Sequence, residues 1–496
     1  MPRVEKLKTA PLVLPGTSPK PESKTDQKPE PKPEIPGEAA KPEAGPAEAA
    51  KPNPAPAEAL AVSPGMASGG QASSTVSLGF DDSKATVSAG TTRFPQRGRE
   101  INVPLFSFDA SGAKLVNPLP ASGLALSDKE KGGLILKGTP DSPARIFAAI
   151  DAPSQAVAAL YDHLAHKYPE LEKNILWRLA KVSTYVAIDV PLMVAGHEMG
   201  HGAAALASCP MCDPQVTMTN WMSGYTSYNT PDDYKLTLQQ DLFNSVAGMN
   251  QATYTGEEID RRMHTQGADL KDAIGYLANI TNSMNYQFKD WIKNTKPGYN
   301  DASTYFQVME ERQKGWNREN LSMLALGVNL LNADFWASLI GSANYIATGK
   351  EVKMPELKIG QFGISAPHLS LIHTYEGPQL NTSIYAHHSG PETLELKYSQ
   401  LLTPDLGPGF GVEARLYNVA IPGTTNQLFL SPRAGVSVHD QEVGFKTGLE
   451  LEYRPAANPY LSLTTGLDYR SNYLPDVYQP KSSGLQGTAG MKISFW

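Results

Sequence analysis

Hydrophobic and polar positions recur with different periods in different parts of the chain. Between residue 141 and about residue 355, apolar residues repeat every three to four positions, which predicts helices. One helix is predicted to begin near Asp189 and Pro191, because proline is favoured in a first turn, and to end by Pro210. The others are predicted over 144–167, 171–187, about 256–266, 268–294 and 302–348, with a strand pair or irregular excursion over 215–228.

From about residue 356 to residue 496, apolar and polar residues alternate with period two in about eight segments separated by turn residues. In the segment VGFKTGLELEY, which begins at Val443, one face carries apolar residues and the other carries Gly, Lys and Glu. Each segment has about the 9–11 residues that a membrane-spanning strand needs. The pattern predicts an antiparallel β-barrel of about eight strands and does not say which face points inward.

Charge and aromatic residues bear on the direction of this barrel. Charges of both signs share one face of the segments, where they could pair inside a narrow lumen, and Tyr and Phe recur near the segment ends. The chain ends in Phe495 and Trp496, and a terminal aromatic strand resembles the family of bacterial outer-membrane β-barrels. That resemblance implies an apolar face toward lipid, whereas a soluble barrel or sandwich is the alternative.

The N-terminal part of the chain has a different composition. Residues 1–73 are rich in Pro, Lys, Glu and Ala and cannot bury enough apolar surface to offset the entropy of ordering, so a disordered, extended spacer is predicted. The printed start lacks the apolar run of a signal peptide, and none is expected there. Residues 74–140 contain short β-like runs between turn clusters and are predicted to form a small β-rich region.

Composition excludes some classes of function. The net charge of −7 and the absence of a basic stripe argue against a nucleic-acid partner. With only two cysteines, Cys209 and Cys212, a disulfide scaffold is excluded. A local disulfide between them is favoured over free thiols, which fits an oxidising compartment.

The strongest chemical signal is the HExxH motif formed by His197, Glu198 and His201. Two histidines four residues apart on a helix project from the same face and can bind one Zn²⁺ ion. Zinc lowers the pKa of its bound water to around 7, and Glu198 can accept the remaining proton as the nucleophile forms. Glu198 is therefore the candidate catalytic base, His197 and His201 are candidate ligands, and a third protein ligand is needed.

The motif and its surroundings, HEMGHGAAA, resemble the HExGHxxxA signature of the site-2-protease-like metallopeptidases. In that family the third ligand is an Asp in a segment of the form N-x-x-P-x-x-P-L-D-G. The segment from Asn329 to Asp334 is similar, although its prolines are absent and Phe335 replaces the glycine. The resemblance implies Asp334 as the third ligand. Glu257 and Glu258 are the rivals, at a spacing closer to that of the gluzincins, metallopeptidases with a downstream Glu ligand.

Together these patterns predict an α+β multidomain protein. It consists of the disordered spacer (1–73), the small β-rich region (74–140), a helical zinc-metallopeptidase-like domain (141–355) and an antiparallel β-barrel (356–496). The expected function is a zinc-dependent metallohydrolase, most directly a peptidase. The barrel would anchor it in an outer membrane, with the helical domain in the periplasm.

The expected partners are a peptide or protein substrate and outer-membrane lipid, and the oligomeric state is left open. One alternative is a non-catalytic outer-membrane anchor whose HEMGH segment binds a structural metal or none. The other is an intramembrane site-2-type protease, with the helices at 175–208 and 321–348 in the bilayer.

Overall fold

The computed structural model describes residues 86–89, 99–109, 114–116, 134–137 and 142–494, the last range with gaps at 210, 232–233, 294–300, 313–314, 389–391, 404–408, 425–426, 440–441, 457, 459, 472 and 475–483. All of these residues belong to one compact unit, 82–496. The predicted spacer at 1–73 and the terminal Phe495 and Trp496 lie outside the described residues.

The described residues combine helices with a large antiparallel sheet, so the fold is α+β as predicted. The helices are α1 (Pro143–Lys167), α2 (Ile175–Ser208), α3 (Leu238–Thr265), α4 (Leu270–Lys293), α5 (Asp301–Arg312), α6 (Arg318–Leu330) and α7 (Ala333–Thr348). The strands are β1 (Thr86–Ala89), β2 (Glu100–Asp109), β3 (Lys114–Val116), β4 (Leu134–Lys137), β5 (Gln215–Asn220), β6 (Ser223–Ser227), β7 (Pro355–Ile359), β8 (Phe362–Ser365), β9 (His368–Thr374), β10 (Gly377–His387), β11 (Thr393–Leu401), β12 (Gly409–Tyr417), β13 (Val419–Ala420), β14 (Leu428–His439), β15 (Glu442–Tyr453), β16 (Leu461–Ser471) and β17 (Gly484–Ser494).

The long helix α2 carries the HExxH motif and packs against α1, α3 and α4. The predicted helix start at Asp189 and Pro191 is wrong, because α2 continues from Ile175 through Pro191. Asp189 does not cap a helix; it is buried and accepts a hydrogen bond from Ser154 on α1. Tertiary packing around α2 therefore outweighs the single backbone hydrogen bond that proline removes.

Helix α3 lies between α2 and the sheet. The predicted start near residue 256 is wrong: α3 begins at Leu238, where Thr237 and Gln240 form a capping box. Ala203, Ala204 and Ala247 pack together where α2 meets α3, and Ile372 of β9 extends this core to the sheet. The site on α2 is thus held against a rigid helix that also contacts the sheet.

Within the described residues, α2 is the one helix whose length and composition would suit a membrane crossing. Helices α6 and α7 are long and apolar enough to cross a membrane only when they are taken together as one segment. They are bent by 55° at their junction. Length and composition alone do not distinguish a membrane helix from an apolar helix of a water-soluble domain.

The described strands form two sheets. The small one has the order β4-β5-β6. The large one contains 14 strands, most of which follow the order β1-β7-β8-β10-β11-β12-β14-β15-β16-β17-β2-β3, while β9 pairs with β10 and β13 with β14. Among the described residues, no pairing joins the two ends of this order.

In the region predicted as a separate small β unit, 74–140, the described residues form strands that are divided between the two sheets. Strand β1 pairs with β7, β2 pairs with the last strand, β17, and β4 pairs with β5. This distribution was not predicted, because strand partners distant in sequence are chosen by the tertiary fold and not by local alternation.

The two faces of the large sheet differ in chemistry. Along β15, Val443, Phe445 and Leu449 are exposed on the outer face, at 65%, 46% and 46%. Lys446 and Glu450 alternate with them and point to the other face, where they pair with Glu413 and Arg415 of β12 at 3.0 and 2.8 Å. The charged face surrounds, together with residues of α1 and α3, a cavity of about 620 Å³. The sheet therefore has its paired charges on the face that lines the cavity and its apolar side chains on the opposite, exposed face.

Candidate metal centre

The two motif histidines share one face of α2, as the four-residue spacing predicts. Their Nε2 atoms lie 3.3 Å apart, and the rings meet edge to face. His197 is buried, and the side chain of His201 is 14% exposed. Two imidazole nitrogens that face each other this closely need a proton or a cation between them.

The third candidate ligand at this site is Asp301, in the first turn of α5. Its Oδ2 atom lies 2.9 Å from Nε2 of His197 and 3.1 Å from Nε2 of His201. Zinc–ligand distances of about 2.0–2.1 Å place tetrahedral ligand atoms roughly 3.3 Å apart. Imidazole nitrogen and carboxylate oxygen are both ligands that zinc accepts, and the three atoms lie close enough together to hold one metal ion.

The prediction of Asp334 as the third ligand is wrong. Asp334 begins α7, and its two oxygens face His264 and His368 in a different buried cluster. The segment from Asn329 to Asp334 resembles the family motif in its residue types. In the fold, however, α7 places Asp334 in a cluster separate from His197 and His201.

The rival ligands do not reach the motif either. Glu257 accepts hydrogen bonds from Asn381 and Lys397 of the sheet, at 3.1 and 2.8 Å. Glu258 pairs with Arg261 one turn further along α3. Both carboxylates lie on the side of α3 that faces the charged face of the sheet, and not on the side that faces α2.

Hydrogen bonds to the outer ring nitrogens orient the two histidines. The backbone oxygen of Asn244 on α3 lies 2.7 Å from Nδ1 of His201 and can only accept, so this nitrogen carries a proton. In the neutral ring, Nε2 is then left with its lone pair toward Asp301. The side-chain Nδ2 atom of Asn282 lies 3.1 Å from Nδ1 of His197 and fixes the orientation of that ring; with the amide turned over, its oxygen would accept from Nδ1–H and leave Nε2 free for a metal.

Helix α3 approaches the histidines at Gly248. A Cβ atom at this position would lie 2.5 Å from Nε2 of His197 and 2.5 Å from Nε2 of His201. Real Cβ contacts essentially never come this close, so the space in front of the two nitrogens depends on glycine at this position. Asn244 and Gly248 lie one turn apart on α3. Asn244 therefore orients the ring of His201, and Gly248 leaves space beside both histidines.

Electrostatics couple the three groups. Burial lowers the pKa of His201, but the neighbouring Asp301 carboxylate outweighs burial and raises it to about 9. Burial alone would raise the pKa of Asp301, and the two histidines instead hold it below its ordinary value. Without a metal the site thus binds a proton between imidazole and carboxylate, and a metal ion has to displace that proton.

Glu198 is buried at 6% exposure beside the first ligand. The hydroxyl of Thr226 on β6 donates to its carboxylate at 3.0 Å and lies 2.7 Å from its backbone oxygen. Gly224, also on β6, brings the strand backbone close to the Glu198 side chain. The candidate base is therefore held by the outer strand of the small sheet.

Tyr286 of α4 completes the surroundings. Its ring stacks on that of His197, with centroids 4.8 Å apart and an angle of 10° between the planes. Burial and the negative charges of Asp301 and Glu198 raise the pKa of Tyr286. The phenol therefore keeps its proton at neutral pH and remains a hydrogen-bond donor.

The sequence identifies His197, Glu198 and His201 but misses Asp301, Gly248 and Tyr286. Asp301 lies 100 positions after His201 and has no motif around it. The one signal that could have indicated it is its position as an acidic residue at the start of a predicted helix. The predicted disulfide between Cys209 and Cys212, just after α2, is confirmed.

Comparisons of the chain with protein-family models, curated proteins and solved structures give no match.

Proposed function

We propose that this protein is a zinc-dependent hydrolase that cleaves peptide bonds. The observation that carries the proposal is the convergence of His197, His201 and Asp301, whose ligand atoms lie 2.9 to 3.3 Å apart with Glu198 beside them. Structural zinc sites use four protein ligands, whereas catalytic sites use three and leave one position for water or substrate.

Each residue of the site has a distinct part in this proposal. A zinc ion held by the three ligands supplies Lewis-acid chemistry and makes water acidic enough to react at neutral pH. Glu198 accepts the proton of the attacking water and passes it to the leaving amine. Tyr286 donates a hydrogen bond to the substrate oxygen on which negative charge develops.

A peptide is the substrate class that best fits the neighbouring strand. Within the described residues β6 pairs only with β5, so its other edge offers unpaired backbone groups. An extended peptide can add to such an edge as a further strand. Because Thr226 of β6 contacts Glu198, a peptide bound there would place its backbone next to the base.

For the large sheet we propose a membrane-inserted β-barrel that anchors the enzyme in an outer membrane. Support comes from the orientation of its faces: exposed Val, Leu, Phe and Tyr outside and paired charges inside, which is the pattern of lipid-facing strands. A water-soluble barrel would place its apolar face inward. The helices then lie outside the bilayer, next to one opening of the barrel.

The catalytic proposal is tested with Glu198→Gln, which keeps the size of the side chain and removes the base. We expect kcat/KM for a mixture of fluorogenic peptides to fall at least about 100-fold, while the zinc content stays unchanged. Glu170→Gln, an exposed substitution on the surface, is the matched control and should retain full activity.

Two outcomes count against the proposal. One is a zinc-loaded wild type that cleaves no peptide in the mixture. The other is a Glu198→Gln variant that cleaves as fast as the wild type. Because zinc content is measured separately, loss of catalysis is distinguished from loss of the metal.

An intramembrane protease is the second candidate, because α2 is long and apolar enough to cross a membrane. The first turns of α2 also expose Ile175, Leu176 and Leu179. This candidate predicts fractionation with the inner membrane, whereas the anchored enzyme fractionates with the outer membrane. Buried Arg178, Lys181 and Asp189 on the same helix favour the anchored enzyme, since charges at membrane depth are costly.

A further inference from the structure

A second cluster of metal-ligating side chains lies away from the HExxH site. Asp260 and His264 are one turn apart on α3, Asp334 is in the first turn of α7, and His368 begins β9. Their side chains are at most 2% exposed, and both aspartates are fully buried. The cluster therefore lies where two helices and the sheet meet.

The geometry of this cluster has the spacing of a coordination sphere. Nδ1 of His368 lies 3.2 Å from Oδ2 of Asp260 and 3.5 Å from Oδ2 of Asp334. These values bracket the separation of roughly 3.3 Å expected between ligands of a tetrahedral zinc site. On the other side, Nε2 of His264 faces Oδ1 of Asp334 at 3.4 Å and Oδ1 of Asp260 at 3.8 Å.

None of the four oxygens of Asp260 and Asp334 accepts a hydrogen bond of acceptable geometry. A buried carboxylate without hydrogen bonds is strongly destabilising unless it is neutralised or coordinates a metal. Two like charges side by side call for a cation.

Another buried carboxylate pair in the same domain shows the alternative solution. Asp151 and Asp272 are also buried, but Arg262 donates to both, at 2.6 Å to each, and Lys271 pairs with Asp151 as well. In the described part of the chain, no Lys or Arg is ion-paired with Asp260 or Asp334. The candidate ligand atoms belong to imidazole and carboxylate groups, which divalent transition metals accept, and the amide nitrogen of Asn332 lies beside them, 3.2 Å from Nδ1 of His368.

We propose that Asp260, Asp334 and His368 bind a second divalent transition-metal ion, with zinc as the first candidate. His264 faces the remaining oxygen of each aspartate from the other side of the cluster. Tyr385 of β10 stacks on His264, with ring centroids 4.6 Å apart, and holds it in place. Nothing in this site depends on Glu198 or on peptide cleavage.

The burial of the cluster assigns this ion a structural role. A substrate has no approach to groups that are 0–2% exposed, in contrast to the HExxH site, where the side chain of Asp301 is 25% exposed. An ion bound here links α3, α7 and β9, and thus ties the helices to the sheet. Metal binding at such a junction is part of the folding free energy.

The competing explanation is a ring of shared protons, in which charged His264 and His368 neutralise the two aspartates without any metal. It predicts that removing the HExxH ligands removes all bound metal. The experiment therefore measures zinc per chain by mass spectrometry in the purified full-length protein, after growth with zinc and extensive dialysis.

We expect about two zinc ions per wild-type chain and about one in the double variant His197→Ala/His201→Ala, in which the catalytic site is destroyed. Adding Asp334→Asn to the double variant should remove the remaining ion. Asp272→Asn, which changes a carboxylate paired with Arg262, is the matched control and should leave the count unchanged.

If Asp334→Asn fails to fold, thermal unfolding of the double variant decides the question. Its melting temperature should rise on adding zinc and fall on adding a chelator, because only the second site is left to bind. A folded double variant with no zinc and no response to either reagent overturns the proposal. A metal content unchanged by Asp334→Asn in a folded protein overturns it as well. Neither result bears on the peptidase proposal, which concerns the other site.

Discussion

At the scale of single residues, the HExxH site depends on a glycine in α3, Gly248, because this residue has no Cβ atom. Gly248 faces the two imidazole nitrogens, and a Cβ atom would approach each of them to 2.5 Å. A methyl group there occupies the position in front of the nitrogens that an ion shared by them requires. The helix itself gains nothing from glycine, which disfavours helix formation by about 1 kcal/mol relative to alanine.

We therefore expect Gly248→Ala to weaken zinc binding at this site by at least about 100-fold, the upper range for disturbing groups around a metal. The measurement is zinc affinity by competition with a chromophoric chelator, made in the Asp334→Asn background so that one site is counted.

Gly327→Ala is the control for this prediction, because a Cβ atom at Gly327 on α6 has no neighbour within 4 Å. It should raise stability by up to about 1 kcal/mol and leave zinc affinity unchanged. Equal zinc affinities in the two variants would show that Gly248 has no steric role.

At the scale of elements, α3 connects the parts of the molecule. Asn244 and Gly248 lie on the side of α3 that faces α2. Glu257, in a later turn of α3, contacts the charged face of the sheet. The pair between Glu257 and Lys397 is largely shielded from water, with side-chain exposures of 17% and 24%. Its loss leaves a buried cation without its partner.

We expect Glu257→Gln to lower the free energy of unfolding by roughly 2–3 kcal/mol, somewhat less than for a fully buried pair that loses one partner. Denaturant titration measures this value. Glu170→Gln breaks an exposed pair with Lys173, at 77% and 75% exposure, and should cost less than about 0.5 kcal/mol. Similar costs for the two variants would contradict the assigned role of Glu257.

Helix α2 contains a buried acid whose ionisation opposes folding. Burial, helped by the negative charges of Asp151 and Asp272, raises the pKa of Asp189 to about 6, although Lys271 and the hydrogen bond from Ser154 act in the opposite direction. Because the folded protein binds this proton more tightly than the unfolded chain, stability decreases as pH rises from about 4 through 6. The difference from the ordinary pKa of 3.8 corresponds to roughly 3 kcal/mol.

The variant Asp189→Asn removes this titration. We expect the wild type to lose up to about 3 kcal/mol relative to the variant between pH 4 and pH 7. Unfolding free energies at pH 4, 5.5 and 7 measure the difference between the two proteins. Parallel pH profiles for the two proteins would refute the assignment.

At the scale of the whole molecule, the proposed membrane location depends on the exposed apolar face of the large sheet. Leu449 lies near the middle of β15 and is 46% exposed, whereas Leu176, at the start of α2, is 70% exposed. Only Leu449 faces lipid if the sheet is a membrane barrel. Leu176 faces lipid only if α2 is the membrane element.

Substituting Arg at each position separates these arrangements. For the proposed barrel, Leu449→Arg should reduce the free energy of folding into lipid vesicles by about 2–4 kcal/mol, the cost of Arg near the bilayer midplane. Leu176→Arg should have little effect. The reverse result would favour the intramembrane alternative.

Much of the molecule follows from local patterns in the sequence. The four-residue spacing of His197 and His201 brings their rings together on any helix, and strict alternation in the last part of the chain produces strands with one charged and one apolar face. The pair Cys209 and Cys212 likewise needs only a short local loop. These features depend on neighbours a few residues apart, so the sequence by itself determined them.

The tertiary structure alone decided which distant groups meet. Asp301 rather than Asp334 joins the histidines, Gly248 leaves them room, α2 runs through Pro191, and β2 pairs with β17. Each of these outcomes is set by packing between elements far apart in the chain, where the energy of burial outweighs local preference. Local spacing fixes the direction of a side chain on its own helix or strand, but only the packed fold fixes what lies opposite to it.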